Sequence, residues 1–171
     1  MGFIVWMTGL PCSGKTTIVR AMQKHIPNLA ILDGDELREW LSPKDFSMEG
    51  RIEHNKRVAH LAKLLLKHNV ASGVSLVSPF IVNRDDARKI VGDDKRFFEV
   101  YVKCSLQECE TRDVKGMYKK ARANEIKNFT GISDPYEAPE KPDLVIDTEK
   151  ETLDQSVQNL LSFLKSKNLV N

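Results

Sequence analysis

The feature that most constrains the fold is a glycine-containing segment placed directly after an apolar strand. Residues 3–8 read as a buried strand, and TGLPCSGKTT follows, in which Gly9 to Thr16 fits the pattern G-x-x-x-x-G-K-[ST]. The next residues, Lys15 to His25, are predicted to form a helix. In such a loop, backbone N–H groups surround phosphate oxygens, and the N-terminus of the helix adds its positive end. The sequence therefore predicts a loop that binds a nucleoside triphosphate.

Within this loop, Lys15 is expected to reach the β- and γ-phosphates, and the Thr16 hydroxyl to bind Mg²⁺. Cys12 occupies a variable position of the motif, where the backbone does the binding, so no catalytic thiol is predicted there. The expected ATP contacts in the loop are Gly9, Cys12, Ser13, Gly14, Lys15, Thr16 and Thr17.

Strand and helix patterns alternate along the rest of the chain. Further strands are expected at 29–33, 74–78, 97–103 and 143–147, and apolar spacing predicts a long amphipathic helix over 51–68. Repeated β-α units indicate a parallel sheet covered on both faces. The prediction is a single α/β domain over 1–171, with a P-loop kinase-like three-layer fold and a five-stranded parallel sheet.

Residues 112–142 do not follow this alternation. The segment lacks an apolar strand and carries the cations Arg112, Lys115, Lys119, Lys120, Arg122 and Lys127. A loop of this length in a compact domain is usually disordered or functional. Its composition favours a mobile lid that closes over the phosphates and excludes water.

Composition excludes several classes of partner. A net charge of +2 on 171 residues does not favour nucleic acid as an obligate partner. The three cysteines show no CxxC pair and the four histidines no HExxH pattern, so neither a disulfide framework nor a zinc site is predicted. With no targeting or membrane segment in the sequence, a cytoplasmic location is expected.

The remaining motifs favour a small-molecule kinase. No NKxD motif supports a regulatory GTPase, and the third strand runs into Ser78-Pro79 rather than the Asp or Asp-Glu of a motor. The second strand ends in DGDELR, where Asp33 and Asp35 suit a Mg²⁺ ion and an acceptor hydroxyl. Arg38, about one helical turn later, is suited to an anion on the acceptor.

With these motifs the chain resembles the adenylylsulfate (APS) kinase family, which phosphorylates the 3′-hydroxyl of adenosine 5′-phosphosulfate with MgATP. The resemblance covers nearly the whole chain. It is carried by GLPCSGKTT, DGDELR, Phe46-Ser47 with Arg51, VSPF with Arg84 and Arg88, and the long run CETRDVKGMYKKARANEIKNFTGISDPYEAP.

The resemblance implies a role for each matching residue. Asp33 is expected to orient or deprotonate the acceptor hydroxyl. Asp35, together with Thr16, is expected to bind Mg²⁺, although the roles of the two aspartates could be reversed. Lys115 is expected to stabilise the transferred phosphoryl group, Arg112 to contact ATP, and Ser78 to contact substrate rather than form a phosphoenzyme.

Phe46 and Phe129 would stack on the two faces of the acceptor adenine. The expected acceptor contacts are Arg38, Phe46, Arg51, His54, Asn55, Ser78, Pro79, Lys127 and Phe129. Family members commonly form homodimers, and the same is expected here.

The sequence departs from the family pattern in three places. His54 stands where the family has an Asn that touches the phosphosulfate, Phe80-Ile81 replaces Tyr-Arg, and Asn124 replaces a glycine. The first two lie on the acceptor side. A sister kinase acting on another nucleotide, such as a cytidine diphosphoramidate-type acceptor, is therefore the main alternative. A non-catalytic nucleotide-binding module is the third hypothesis, although Lys15, Asp33 and Asp35 are all present.

Overall fold

The computed structural model describes residues 1–41, 45–92 and 95–170. In these ranges five strands form one parallel sheet with the order β2-β3-β1-β4-β5. The strands are β1 (Ile4–Thr8), β2 (Ala30–Asp33), β3 (Ser72–Ser75), β4 (Phe97–Lys103) and β5 (Leu144–Asp147). The helices are α1 (Lys15–Gln23), α2 (Gly34–Leu41), α3 (Met48–Lys67), α4 (Ile81–Val91), α5 (Leu106–Arg112), α6 (Met117–Arg122) and α7 (Leu153–Ser166). The predicted α/β class and five-stranded parallel sheet are confirmed.

Helices cover both faces of the sheet because side chains of β1 alternate between them. Val5 and Met7 belong to the core under α1 and α7. Ile4 and Trp6 belong to a second core under α2, α3 and α4. The burial of apolar side chains on both faces gives the three-layer arrangement that the continuous apolar strands predicted.

The predicted bounds of the third strand are wrong. The strand spans Ser72–Ser75 rather than 74–78. Its partners fix this end, because Ser75 is the last residue paired with Met7 of β1 and Asp33 of β2. This register needs a glycine at position 73, because a Cβ there would lie 2.7 Å from the Val19 side chain of α1. The apolar residues after Ser75, which suggested a longer strand, lie in the connection to α4.

A small third cluster lies beyond the carboxyl end of the sheet. It contains Cys104, Cys109, Tyr118, Ala121 and Phe129. These residues come from the end of β4, from α5 and α6, and from the segment after α6. The segment 112–142, expected as an irregular lid, therefore includes α6 and packs through this cluster beside the phosphate loop.

Candidate active site

The phosphate loop connects β1 to α1 at the carboxyl edge of the sheet, which is where open α/β sheets bind ligands. Gly14 has φ 102°, a conformation that favours glycine. A Cβ on Gly9 would lie 2.4 Å from the Val102 carbonyl oxygen, so only glycine fits there. The two glycines of the motif are thus required by the backbone path of the loop.

Lys15 turns its side chain back into this loop. Its Nζ donates to the carbonyl oxygens of Gly9 at 2.9 Å and Leu10 at 2.7 Å, and lies 3.4 Å from Ser13 Oγ. Burial lowers the pKa of Lys15 from 10.5 to about 8. The ammonium is thus held inside the loop by carbonyl dipoles, where a phosphate would compete for it.

Three oxygen-bearing side chains meet beside the first turn of α1. The Thr16 hydroxyl donates to Asp33 Oδ2 at 2.8 Å and lies 2.8 Å from Ser75 Oγ. Hard oxygen donors of this kind suit Mg²⁺, which keeps several waters and phosphate oxygens as its other ligands. Ser75 was not found from the sequence; its signal is its position opposite Asp33 at the end of the neighbouring strand.

Asp33 and Asp35 occupy different environments because α2 begins between them. Asp33 Oδ1 accepts hydrogen bonds from the backbone N–H groups of Asp35 at 2.9 Å and Glu36 at 3.4 Å, and thereby caps the helix. Asp35 is exposed, and its Oδ2 accepts from Lys115 Nζ at 2.6 Å. This hydrogen bond and the charge of Asp35 raise the pKa of Lys115. Asp33, rather than the predicted Asp35, therefore lies beside Thr16.

Arg38 and Phe46, two of the predicted acceptor contacts, lie together in the structure. The Arg38 guanidinium lies 4.7 Å from the centroid of the Phe46 ring, and its Nη1 donates to the Asp45 carbonyl at 2.9 Å. Phe46 is 47% exposed, which is high for a large apolar side chain and leaves its ring accessible to a flat base.

Arg51 connects α3 to the segment that carries Phe129. Its Nε donates to the Phe46 carbonyl at 2.9 Å, its Nη1 to the Thr130 hydroxyl at 3.0 Å, and its Nη2 to the Asn128 carbonyl. One guanidinium thus binds the backbone at Phe46 and the residues on both sides of Phe129. Phe129 itself is buried and meets the Tyr118 ring edge-to-face at 4.9 Å.

His54 lies behind the turn between Asp33 and Asp35. It is buried, and its Nε2 lies 3.2 Å from the Gly34 carbonyl oxygen. Burial and then the charge of Arg38 lower the pKa of His54 from 6.5 to about 4, so the ring is neutral. In the structure His54 contacts the backbone that carries the aspartates, and a substrate contact at His54 stays a prediction.

Asn55 and Ser78 form a buried hydrogen-bonded pair. Ser78 Oγ donates to Asn55 Oδ1 at 2.6 Å and accepts from Trp6 Nε1 at 3.1 Å. Asn55 Nδ2 donates to the Arg51 carbonyl at 2.7 Å. The Ser78 hydroxyl therefore has both a donor and an acceptor partner within the protein, and Asn55 connects it to the helix turn that carries Arg51.

The remaining predicted residues lie around the rim. Arg112 donates to the Thr148 hydroxyl at 3.1 Å and its carbonyl at 2.7 Å, and the Thr148 hydroxyl donates to the Ser13 carbonyl at 2.9 Å. Arg112 is thus tied to the phosphate loop through Thr148, a residue that sequence reasoning missed. Thr17 and Lys127 are exposed, and Pro79 is buried.

Comparison with known proteins agrees with this geometry. The family model for adenylylsulphate kinase matches residues 1–147. An adenylyl-sulfate kinase from Clostridium acetobutylicum is 45% identical over 169 residues, which cover 96% of this chain and 84% of that protein. The chain belongs to the adenylylsulphate kinase family.

Solved structures of family members show the same fold. The APS kinase of Mycobacterium tuberculosis, in complex with AMPPNP and APS, matches with a TM-score of 0.90 at 38% identity, covering 96% of this chain and 98% of that chain. A hexameric APS kinase from Thiobacillus denitrificans matches with a TM-score of 0.73 at 25% identity, covering 100% of this chain and 30% of that chain. Among the described residues, none of the helices has the length and apolar character needed to cross a membrane.

Proposed function

We propose that this chain transfers the γ-phosphate of ATP to the 3′-hydroxyl of adenosine 5′-phosphosulfate, giving 3′-phosphoadenylyl sulfate and ADP. The observation that carries the proposal is the meeting, at one edge of the sheet, of the phosphate loop with the Asp33-Gly34-Asp35 turn and the paired Lys115. A family relative whose structure holds AMPPNP and APS together supports the choice of both substrates.

ATP binds through the phosphate loop. The backbone amides at the start of α1 face its phosphates, and Lys15 exchanges the loop carbonyls for phosphate oxygens. Arg112, attached to Thr148 beside Ser13, contacts the nucleotide at the outer side of the loop. Cys12 and Gly14 of the loop and Thr17 of the first turn of α1 are proposed as further ATP contacts.

Thr16 and Asp33 would hold Mg²⁺, with Ser75 as a supporting hydroxyl. Their mutual contacts at 2.8 Å form an oxygen-only donor set, which fits this ion. Bound there, Mg²⁺ neutralises charge on the phosphate oxygens. In this assignment Asp33 is the metal ligand and Asp35 contacts the acceptor hydroxyl.

Asp35 orients the 3′-hydroxyl and accepts its proton. The carboxylate is exposed toward the cleft and is held by Lys115 from the opposite segment. Lys115 donates a hydrogen bond to Asp35. With Lys15, it offers positive charge to the phosphoryl group as negative charge develops on it.

The acceptor binds between the two aromatic residues. Phe46 and Phe129 stack on its adenine, and Arg38 and Arg51 face its phosphosulfate, whose oxygens suit guanidinium groups. Lys127 adds positive charge at the rim. His54, Asn55, Ser78 and Pro79 are proposed to support this pocket from behind, with His54 in contact with the Gly34 carbonyl.

The molecule is proposed to act as a homodimer, as expected from the family. Light scattering coupled to size-exclusion chromatography of the purified chain measures this directly.

A coupled assay of ADP release tests the proposed reaction. With ATP and Mg²⁺, APS is expected to give turnover, whereas cytidine diphosphoramidate-type acceptors and buffer alone are not. Turnover with the cytidine acceptor only would establish the sister-kinase alternative. Binding of ATP without turnover on either acceptor would establish a nucleotide-binding module.

A further inference from the structure

Tyr118 lies between the two proposed substrate sites without taking part in the proposed chemistry. Its side chain is 1% exposed and belongs to the small cluster beyond the sheet, together with Cys109, Ala121 and Phe129. A buried tyrosine hydroxyl needs a hydrogen-bond partner. Besides the Cys109 side chain, the hydroxyl finds a partner in the phosphate loop.

The Tyr118 hydroxyl donates to the backbone carbonyl of Pro11 at 2.9 Å. Pro11 occupies a variable position of the phosphate-loop motif, and its ring restricts the backbone φ angle. This hydrogen bond connects the phosphate loop to the segment that carries α6.

The opposite side of Tyr118 contacts the acceptor site. Its ring meets the Phe129 ring edge-to-face, with centroids 4.9 Å apart and planes at 79°. Pairs with this geometry hold both rings in place beyond simple burial. A displacement of Tyr118 would therefore move the ring on which the acceptor adenine is proposed to stack.

The start of α6 is also fixed around Tyr118. Asp113 Oδ1 accepts from the backbone N–H of Tyr118 at 2.9 Å, and Asp113 Oδ2 accepts from that of Lys119 at 3.0 Å. Lys115, which pairs with Asp35, lies in the turn between Asp113 and α6. The turn that carries Lys115 is thus anchored beside the same tyrosine.

We propose that Tyr118 is a positioning residue that couples nucleotide binding in the phosphate loop to acceptor binding at Phe129. The inference rests on the proposed function, because it takes ATP and APS as the two ligands. A nucleotide that orders the phosphate loop also orders the Pro11 carbonyl, the Tyr118 hydroxyl and the Phe129 ring. By linkage, the nucleotide then tightens APS binding, and APS tightens nucleotide binding by the same factor.

Titration calorimetry with AMPPNP and APS, which together do not turn over, measures this coupling. The dissociation constant of APS is determined with and without saturating AMPPNP for the unmodified chain and for Tyr118→Phe, which keeps the ring and removes the hydroxyl. AMPPNP is expected to tighten APS binding to the unmodified chain by about fivefold or more, and this ratio is expected to fall to about one in Tyr118→Phe.

Tyr136→Phe is the matched control. Tyr136 belongs to the same 112–142 segment, and its hydroxyl also forms a 2.9 Å hydrogen bond, but with the Thr8 hydroxyl in β1. This variant loses a comparable contact and is expected to keep the ratio of the unmodified chain. A ratio reduced equally in both variants would show a general loosening of the segment and would overturn the inference.

Two further results would contradict the proposed coupling. An unchanged ratio in Tyr118→Phe would overturn the inference while leaving the proposed function intact. Loss of AMPPNP binding itself in Tyr118→Phe would make Tyr118 a support of the phosphate loop alone and would also overturn it. Absence of APS binding to the unmodified chain would instead refute the proposed function, and the inference with it.

Discussion

Asp33 and Asp35 are two residues apart, but the start of α2 between them gives each a different partner. Asp33 lies 2.8 Å from the Thr16 hydroxyl and caps the helix, whereas Asp35 projects into the cleft toward Lys115. This difference in partners supports the proposed metal role for Asp33 and acceptor role for Asp35, the reverse of the first expectation from the sequence.

Exchange of each carboxylate for an amide tests this separation. Asp33→Asn is expected to raise the Mg²⁺ concentration needed for half-maximal rate by about tenfold or more, because a negatively charged ligand is lost. Asp35→Asn is expected to lower kcat by at least about 10²-fold with little change in Mg²⁺ dependence. Steady-state rates across a Mg²⁺ titration measure both.

Glu36→Gln is the control, since Glu36 lies on the same helix but pairs with Arg20 at 3.2 Å on the surface. Its Mg²⁺ dependence and kcat are expected to stay close to those of the unmodified chain. A shifted Mg²⁺ requirement in Asp35→Asn, together with a normal one in Asp33→Asn, would restore the original assignment.

Ser78 has its hydrogen-bonding capacity used by Asn55 and Trp6. Ser78→Ala is expected to lower the free energy of unfolding by about 1–2 kcal/mol, because a buried amide and an indole each lose a partner. Turnover is expected to stay within about tenfold of normal, since phosphoryl transfer passes directly from ATP to the acceptor. Chemical denaturation and the ADP-release assay give the two values. Complete loss of turnover in a folded variant would instead support a phosphoserine intermediate.

His54 contributes a pH-dependent part of the stability. Burial lowers its pKa from 6.5 to about 4, so between these values the unfolded chain binds a proton that the folded chain does not. Stability from His54 is therefore present above the unfolded pKa and decreases as the pH falls toward the folded one. Between about pH 7 and about pH 5, the unmodified chain is expected to lose about 2 kcal/mol more than His54→Asn.

Urea denaturation at the two pH values measures this difference. His60→Asn is the control, because His60 lies on the same helix α3 but is exposed. Its loss of stability with acid is expected to follow that of the unmodified chain. An equal acid-dependent loss in His54→Asn and the unmodified chain would show that His54 is protonated in the folded state.

At the scale of elements, α3 and the segment 112–142 are joined by one guanidinium. Arg51 reaches the Phe46 carbonyl, the Asn128 carbonyl and the Thr130 hydroxyl from a single side chain. A planar fork with several fixed donors makes such a junction, and a lysine ammonium does not reproduce it. The spacing of the two aromatic residues thus depends on Arg51 as well as on their own packing.

Arg51→Lys is expected to raise the KM for APS by about tenfold or more while leaving the KM for ATP close to normal. Faster amide hydrogen exchange is expected over 128–134, because the segment loses its attachment. Arg57→Lys is the matched control on α3, where the guanidinium bonds the Leu41 carbonyl at 2.8 Å. An unchanged KM for APS, or an equal rise in the KM for ATP, would contradict this role of Arg51.

At the scale of the whole molecule, local patterns predicted the architecture and long-range contacts determined the details. The phosphate loop and the five parallel strands follow from apolar runs and glycine spacing, which are readable in one dimension. The end of β3 was misjudged because the register with Met7 and Asp33, rather than the apolar run, terminates the strand.

The same limit applies to the site. Lys15, Thr16 and Arg51 are identified by motif, but Ser75, Thr148 and Tyr118 reach the site only through strand register or through contacts between distant segments. The role of His54 also depends on a contact across 20 positions of the chain, with the Gly34 carbonyl. A sequence pattern shows which residue type stands at such a position, but it does not show which distant residue that side chain contacts.

The position of the transferred phosphate in the product is the most direct test of the proposed reaction. The chain is incubated with APS, Mg²⁺ and ATP labelled in the γ-phosphate, and the labelled product is treated with a nucleotidase specific for 3′-phosphates. The label is expected to enter the nucleotide product and to be released quantitatively by that treatment. Label that resists the nucleotidase, stays on the protein, or appears only as inorganic phosphate would contradict transfer to the 3′-hydroxyl of APS.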